Sequence, residues 1–291
     1  MAEFGIPYMG SKSGIARDLI DVLPRGKRFV DLFGGGFAMT HCAMLSSKWD
    51  NFFYSEINPL LVDLIKKALN GDFNYDKFKP EFITREKFNI LKEVDGYIKY
   101  IWSFGNNGKQ YLFGKDIEEK KHAFHNAVVF GDFERAKKYL PKIIELRGDT
   151  VKERRLFLKK IIKERCDLQQ LQQLEQLQRL ERLERLEQLQ RLEINCGSYL
   201  DYQYKDGDVV YCDPPYEGTA KYSKEGFNHK EFYEWVWTRP YKVYFSSYSI
   251  SDERFFKIWS KTKRCTLSAS DNSLKKEEIL YCNQQDKVFL F

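Results

Sequence analysis

The chain has 291 residues, with 48 Lys and Arg against 42 Asp and Glu, a net charge of +6. Hydrophobic residues make up 43% and aromatics 16%, which is ample for a packed core and excludes disorder along the whole length. No apolar run approaches the ~20 residues that cross a bilayer. The start MAEFGIPYMGSKSG lacks the apolar stretch of an export signal, so a cytoplasmic protein is expected. The cysteines, Cys42, Cys166, Cys196, Cys212, Cys265 and Cys282, form no C-x-x-C pair and read as reduced, mostly buried thiols. No metal is expected, because His122 and His125 lie i, i+3 in a charged stretch with no third ligand nearby.

The first seventy residues alternate between helix and strand signals. Ser11 to Leu23 has helical spacing and stops at Pro24. Residues 28–33 form a short apolar run, the mark of a buried strand, that passes straight into Gly34-Gly35-Gly36. A helix over 37–45, a strand over 51–56 and a helix over 59–69 with Asn58 as its N-cap complete the stretch. This alternation predicts an α/β fold, a Rossmann-like parallel sheet with helices on both faces.

Residues 71–194 break the pattern. They read as a mostly helical insertion between two parts of one core domain, residues 1–70 and 195–291. Between Lys152 and Arg165 there are seven basic and two acidic residues. Lys152, Arg154, Arg155, Lys159 and Lys160 there suit a phosphate backbone, and equally a solvated helix face. The segment Phe104-Gly-Asn-Asn-Gly-Lys109, with Asn106 and Asn107 at its centre, reads either as a base-contacting loop or as a plain turn. From Leu168 to Leu192 a leucine recurs at every third residue. That period spirals around an α-helix and does not form a coiled-coil seam; a turn-like solenoid and a partly exposed helix both remain open. Beyond it, strands are expected over 209–212, 242–246, 278–282 and 287–291, with helices over 229–237 and 251–259.

The strongest chemical signal is Asp213-Pro214-Pro215-Tyr216, which ends the strand over 209–212. Ligands of open α/β sheets bind outside the carboxyl ends of the strands. Two prolines donate nothing to a ladder and leave their carbonyls available. A carboxylate, a carbonyl and an aromatic ring suit an exocyclic amino group on a flat heterocycle: Asp213 and the Pro214 carbonyl accept its two N–H bonds while Tyr216 stacks on the ring. The second signal is Asp31-Leu-Phe33-Gly34-Gly-Gly36, a glycine turn permitting close approach of a ligand, with Glu56 placed 22 residues past Gly34 to meet a ribose hydroxyl. Met39 stands where a dinucleotide fingerprint has its third glycine, which favours adenosine with a non-phosphate tail. The third is Pro7-Tyr8-Met-Gly-Ser-Lys12, where Lys12 could meet a carboxylate and Tyr8 cover a ligand face.

As a set and in this order, these motifs resemble the S-adenosylmethionine-dependent DNA adenine-N6 methyltransferases of the Dam class, alpha group. Cys196-Gly-Ser-Tyr199, Ser246-Ser-Tyr248 and Lys275-Lys-Glu-Glu-Ile-Leu-Tyr281 add to the likeness. The resemblance implies an enzyme that moves a methyl group from S-adenosylmethionine to N6 of an adenine turned out of double-stranded DNA. It implies catalytic positions at Asp213, Pro214, Pro215 and Tyr216. Donor contacts would fall at Tyr8, Lys12, Asp31, Phe33, Gly34, Gly36, Glu56 and Asp213. Tyr8 stands where many members have Trp, and Glu56 where most have Asp. DNA contacts are expected from the basic segment and from Asn106 and Asn107, with no metal and no obligate protein partner. Cytosine-N4 methylation, whose motif usually begins with Ser, and a non-catalytic DNA-binding protein on the same fold are the alternatives.

Overall fold

The computed structural model describes residues 4–74, 78–141, 143, 148–164, 191–217, 226–264 and 275–285. They divide into two units: residues 1–4, 12–59 and 190–291, and residues 5–11 with 60–189.

The first unit is built on a seven-stranded sheet. Its strands are β1 (Arg28–Asp31), β2 (Asn51–Glu56), β3 (Leu192–Cys196), β4 (Asp208–Cys212), β5 (Val243–Ser247), β6 (Phe256–Arg264) and β7 (Lys275–Cys282), in the order β3-β2-β1-β4-β5-β7-β6. The first five run parallel, and β7 is antiparallel to both β5 and β6. The helices are, in chain order, α1 (Ala16–Val22), α2 (Ala38–Met44), α3 (Pro59–Leu69), α4 (Arg85–Leu91), α5 (Gly96–Ile101), α6 (Glu118–Val129), α7 (Glu134–Lys137), α8 (Val151–Glu164) and α9 (His229–Trp237).

Period-two alternation along the strands builds two cores. Phe29, Phe52, Val209, Tyr211 and Tyr244 face one side, where they pack with Leu19 and Ile20 of α1 and Met39 and Cys42 of α2. Val30, Val210, Cys212, Val243 and Phe245 face the other, against Phe232, Tyr233, Trp235 and Val236 of α9. With both faces covered, β1 and β5 are buried at every residue. At the amino edge Arg28 makes a bidentate contact with Asp208, at 2.9 and 2.8 Å, locking β1 to β4. A cavity of 410 Å³ lies at that edge, lined by Gly26, Tyr204, Asp208 and Tyr241 among others, at the opposite end of the sheet from Asp213.

Sequence and structure part company at three places. Residues 251–259 do not form the expected helix: from Phe256 they enter β6, an edge strand with a bulge between Lys257 and Trp259, held by antiparallel pairing to β7. The strand β3 begins at Leu192, inside the stretch read as insertion, and pairs with β2. The helix expected over 11–23 is a 3₁₀ turn at Lys12–Gly14 followed by α1. The leucine run as far as residue 190 and the strand expected over 287–291 lie outside the described residues.

The second unit is helical. Thr84 and Asp95 cap α4 and α5, accepting from the backbone N–H of Lys87 and Ile98. Phe82, Trp102, Phe113 and His125 pack edge to face in its interior. His125 donates from Nε2 to the Pro80 carbonyl at 2.7 Å, and burial lowers its pKa to about 4. Among the described residues no helix is long and apolar enough to cross a membrane.

Candidate active site

The order β3-β2-β1-β4-β5 reverses direction between β1 and β4, and at such a switch point the loops leaving neighbouring strands splay apart and open a crevice. Asp31 ends β1, Glu56 ends β2 and Asp213 follows β4, so three carboxylates gather at the carboxyl edge of the parallel sheet.

Asp213 is the centre of a tight cluster. Lys12, whose side chain is only 7% exposed, places Nζ 2.7 Å from Asp213 Oδ2 and 3.7 Å from Glu278 Oε1. The same ammonium lies over the Tyr216 ring, 4.7 Å from its centroid. The Tyr216 hydroxyl donates to Glu278 Oε1, and its ring meets Tyr248 edge to face at 4.7 Å. Asp213 Oδ1 is buried with no hydrogen-bond partner among the described residues. Burial pushes the Asp213 pKa up; the Lys12 ammonium opposes that rise and the Glu278 carboxylate adds to it. Of the two prolines, Pro215 has its carbonyl held by His229 Nε2 at 2.8 Å, which fixes the turn and leaves the Pro214 carbonyl for other work.

The glycine turn is shaped by backbone contacts. Gly34 N–H donates to the Ser55 carbonyl at 2.9 Å, and a Cβ on Gly34 would fall 2.1 Å from the Tyr54 ring. Glu56 accepts from Gly35 N–H at 3.0 Å and Asn58 N–H at 2.9 Å. Asn58 thus contributes its backbone N–H to this carboxylate. Burial raises the Glu56 pKa against these backbone donors. Asp31 is fully buried beneath the turn and accepts from Thr40 Oγ1 at 2.8 Å. Burial lifts its pKa to about 7, opposed by Thr40 and assisted by the charges of Asp213 and Glu56. The Phe33 ring turns into the α9-side core, stacked on Tyr199 at 5.1 Å. Tyr8 belongs to the second unit, edge-on to Tyr100 at 5.4 Å.

The carboxylates around the crevice, Asp31, Glu56 and Asp213, outnumber the one ammonium of Lys12. Phosphate would be repelled here, whereas ribose hydroxyls, an amino group and a positive sulfur fit. S-adenosylmethionine carries all of these.

In the second unit the residues expected to meet DNA divide. Lys152 and Lys160 are exposed on α8. Arg154 turns inward and donates to the carbonyls of Val128, Val129, Gly148 and Asp149 at 2.7 to 3.1 Å, closing the end of α6. Arg155 is 2% exposed. Neither is placed to grip a phosphate, because the first is consumed by backbone acceptors and the second is buried. The Lys159 side chain lies outside the described residues. Asn106 donates to the Tyr100 carbonyl and Asn107 accepts from Lys109 N–H, so both build the loop, while Phe104, at its base where its N–H donates to the Gln110 carbonyl, is 60% exposed.

Sequence reasoning left out Glu278, Thr40, Tyr54 and His229. Glu278 lies inside the motif Lys275–Tyr281, and its complete burial was the missing signal.

Comparison with known proteins agrees with this geometry. The model of the D12 class N6 adenine-specific DNA methyltransferases matches residues 168–264, which include Asp213–Tyr216, α9 and β5. The Retron Ec67 DNA adenine methylase of Escherichia coli is 24% identical over 242 residues, covering 78% of this chain and 69% of that protein. The chain is thus similar to DNA adenine methylases on both comparisons, the family model matching the segment that carries Asp213–Tyr216.

Proposed function

We infer that the chain methylates N6 of adenine in double-stranded DNA with S-adenosylmethionine as donor. The observation that carries the reading is the divided state of the Asp213 carboxylate. Oδ2 is clamped by Lys12, and Oδ1 is buried without a partner among the described residues. An unpartnered buried acceptor is costly, and an incoming amino group relieves that cost.

When bound, S-adenosylmethionine supplies an electrophilic methyl group on a positively charged sulfur. Glu56 would accept from its ribose hydroxyls, and the turn through Gly34 and Gly36, with Asp31 beneath it, would form the wall beside it. Lys12 holds Asp213 in one rotamer. Asp213 Oδ1 and the Pro214 carbonyl accept the two N6–H bonds of an adenine swung out of the duplex, where its amino group is otherwise out of reach. Both acceptors draw the nitrogen lone pair out of the ring and aim it along the line of transfer. The bound donor would supply its methyl group to that nitrogen and depart as the neutral thioether, and N6 would release one proton to solvent. Orientation and electrostatics supply the acceleration, with no covalent enzyme intermediate.

In the second unit, Lys152 and Lys160 would bind phosphates, and the loop at 104–109 would present Phe104 to the bases. Replacing Asp213 with Ala should lower methyl transfer by at least about 10²-fold while DNA binding persists. Retention of near-wild-type transfer by this variant would overturn the assignment.

A further inference from the structure

We propose that Glu278 is a positioning residue for the methyl transfer, acting through Tyr216. The proposal rests on the functional reading above. Glu278 sits in β7, remote in sequence from the Asp213–Tyr216 motif, and is completely buried. A single oxygen, Oε1, takes the Tyr216 hydroxyl and also stands 3.7 Å from Lys12 Nζ. The two groups it engages are the ones that flank Asp213: Lys12 clamps Oδ2, and Tyr216 lies two residues past Pro214.

The arrangement forms a closed ring of contacts. Lys12 bridges the two carboxylates and covers the face of Tyr216, while Tyr216 is anchored at its hydroxyl by Glu278 and at its ring by Tyr248. A tyrosine held only by ring packing can slide or tilt in its plane. A charge-assisted hydrogen bond at the far end of the ring removes that freedom. Tyr216 is the ring against which the target base would rest, so its tilt sets the angle at which N6 faces the methyl group. Reactions that depend on in-line approach lose rate steeply with such misplacement. A buried carboxylate is expensive to maintain, and β7, paired between β5 and β6, brings this one against Tyr216 of the catalytic motif. That position explains why an acidic residue stands in the otherwise apolar run Glu278-Ile-Leu-Tyr-Cys282.

The experiment uses the full chain with unmethylated duplex DNA and S-adenosylmethionine. It compares wild type, Glu278→Ala, Glu278→Gln, Tyr216→Phe and Glu278→Ala with Tyr216→Phe. The readouts are kcat, the Kd of S-adenosylmethionine by calorimetry, and the melting temperature. Glu278→Ala should lower kcat on the order of 10–100-fold with the donor Kd held within about threefold. Glu278→Gln, whose amide oxygen still accepts from Tyr216, should recover part of the loss. The double variant should be no slower than the slower single variant, because both changes cut the same link. Wild-type kcat in Tyr216→Phe overturns the proposal, and this variant decides the question even if Glu278→Ala does not fold. Losses that multiply in the double variant, or a loss that disappears at saturating donor, overturn it as well. Absence of N6-methyladenine from the wild-type reaction would instead overturn the underlying functional reading.

Discussion

Lys12 Nζ stands 2.7 Å from Asp213 Oδ2, although the two residues are 201 positions apart in the chain. The pair joins the turn before α1 to the turn after β4, and it holds down the pKa of a carboxylate that burial and Glu278 push up. Replacing Lys12 with Met removes the ammonium that opposes this rise. The carboxylate then titrates at higher pH, so fewer molecules carry an ionised acceptor at neutrality. We expect kcat at pH 7 to fall by roughly 10²-fold, with the acid limb of its pH profile moved to higher pH. A profile unchanged in position would show that Lys12 does not tune Asp213.

Asp31 gives a stability prediction with a definite sign. Its pKa rises from an ordinary 3.8 to about 7 in the folded protein, because burial disfavours the charged form. The native state therefore retains a proton that the unfolded chain gives up, and stability is lost as pH climbs from about 4 through 7. A rise of that size corresponds to about 4 kcal/mol. Asp31→Asn, which still offers Thr40 an acceptor, should melt higher than wild type at pH 8 and no higher at pH 4. Parallel stability curves for the two proteins across that range would contradict this account.

The glycine turn tolerates no side chain at its first position. A Cβ on Gly34 would fall 2.1 Å from the Tyr54 ring, whose hydroxyl is itself fixed to the Gly35 carbonyl at 2.8 Å. Gly34→Ala should cost about 1–3 kcal/mol of stability and weaken donor binding, because the turn must move to clear the ring. Calorimetry with S-adenosylmethionine and thermal melting check both parts. An unaltered donor Kd would separate this turn from the donor site.

The basic helix α8 holds two kinds of cation. Lys152→Ala and Lys160→Ala should each reduce the salt dependence of DNA affinity, by about one unit of slope for each phosphate no longer neutralised, and leave stability nearly unchanged. Arg154→Ala should do the reverse. Its guanidinium satisfies four backbone carbonyls, so its removal should lower stability by about 1–3 kcal/mol. A change in DNA salt slope for Arg154→Ala without a fall in stability would place that residue at the nucleic acid after all.

The parts of the fold legible in the sequence are those specified locally. Strand β2 occupies the expected residues 51–56 and α9 the expected 229–237, because alternation and amphipathic spacing are strong there. Residues 251–259 misled because Phe255, Phe256 and Trp259 fall at helical spacing, while their strand identity comes from pairing with β7, a distant partner. The same limit applies to side chains. Charge counting correctly marked residues 152–165 as basic, yet it could not say that Arg154 and Arg155 turn inward. Glu278 follows Lys275-Lys-Glu in the sequence and reads as one more surface charge; only the packing of β7 beneath Tyr216 buries it. By contrast, Asp213 stands out from its motif, and Lys12, which read alone marks only an ordinary helix entry, is singled out by the set of motifs. The structure adds that they touch.

The most direct test of the account is to incubate the protein with unmethylated duplex DNA and S-adenosylmethionine, digest the DNA to nucleosides and identify the products by mass spectrometry. The account predicts N6-methyldeoxyadenosine from wild type and at least about 10²-fold less from Asp213→Ala. N4-methyldeoxycytidine, or no modified nucleoside from a folded wild-type protein that binds the DNA, would contradict it.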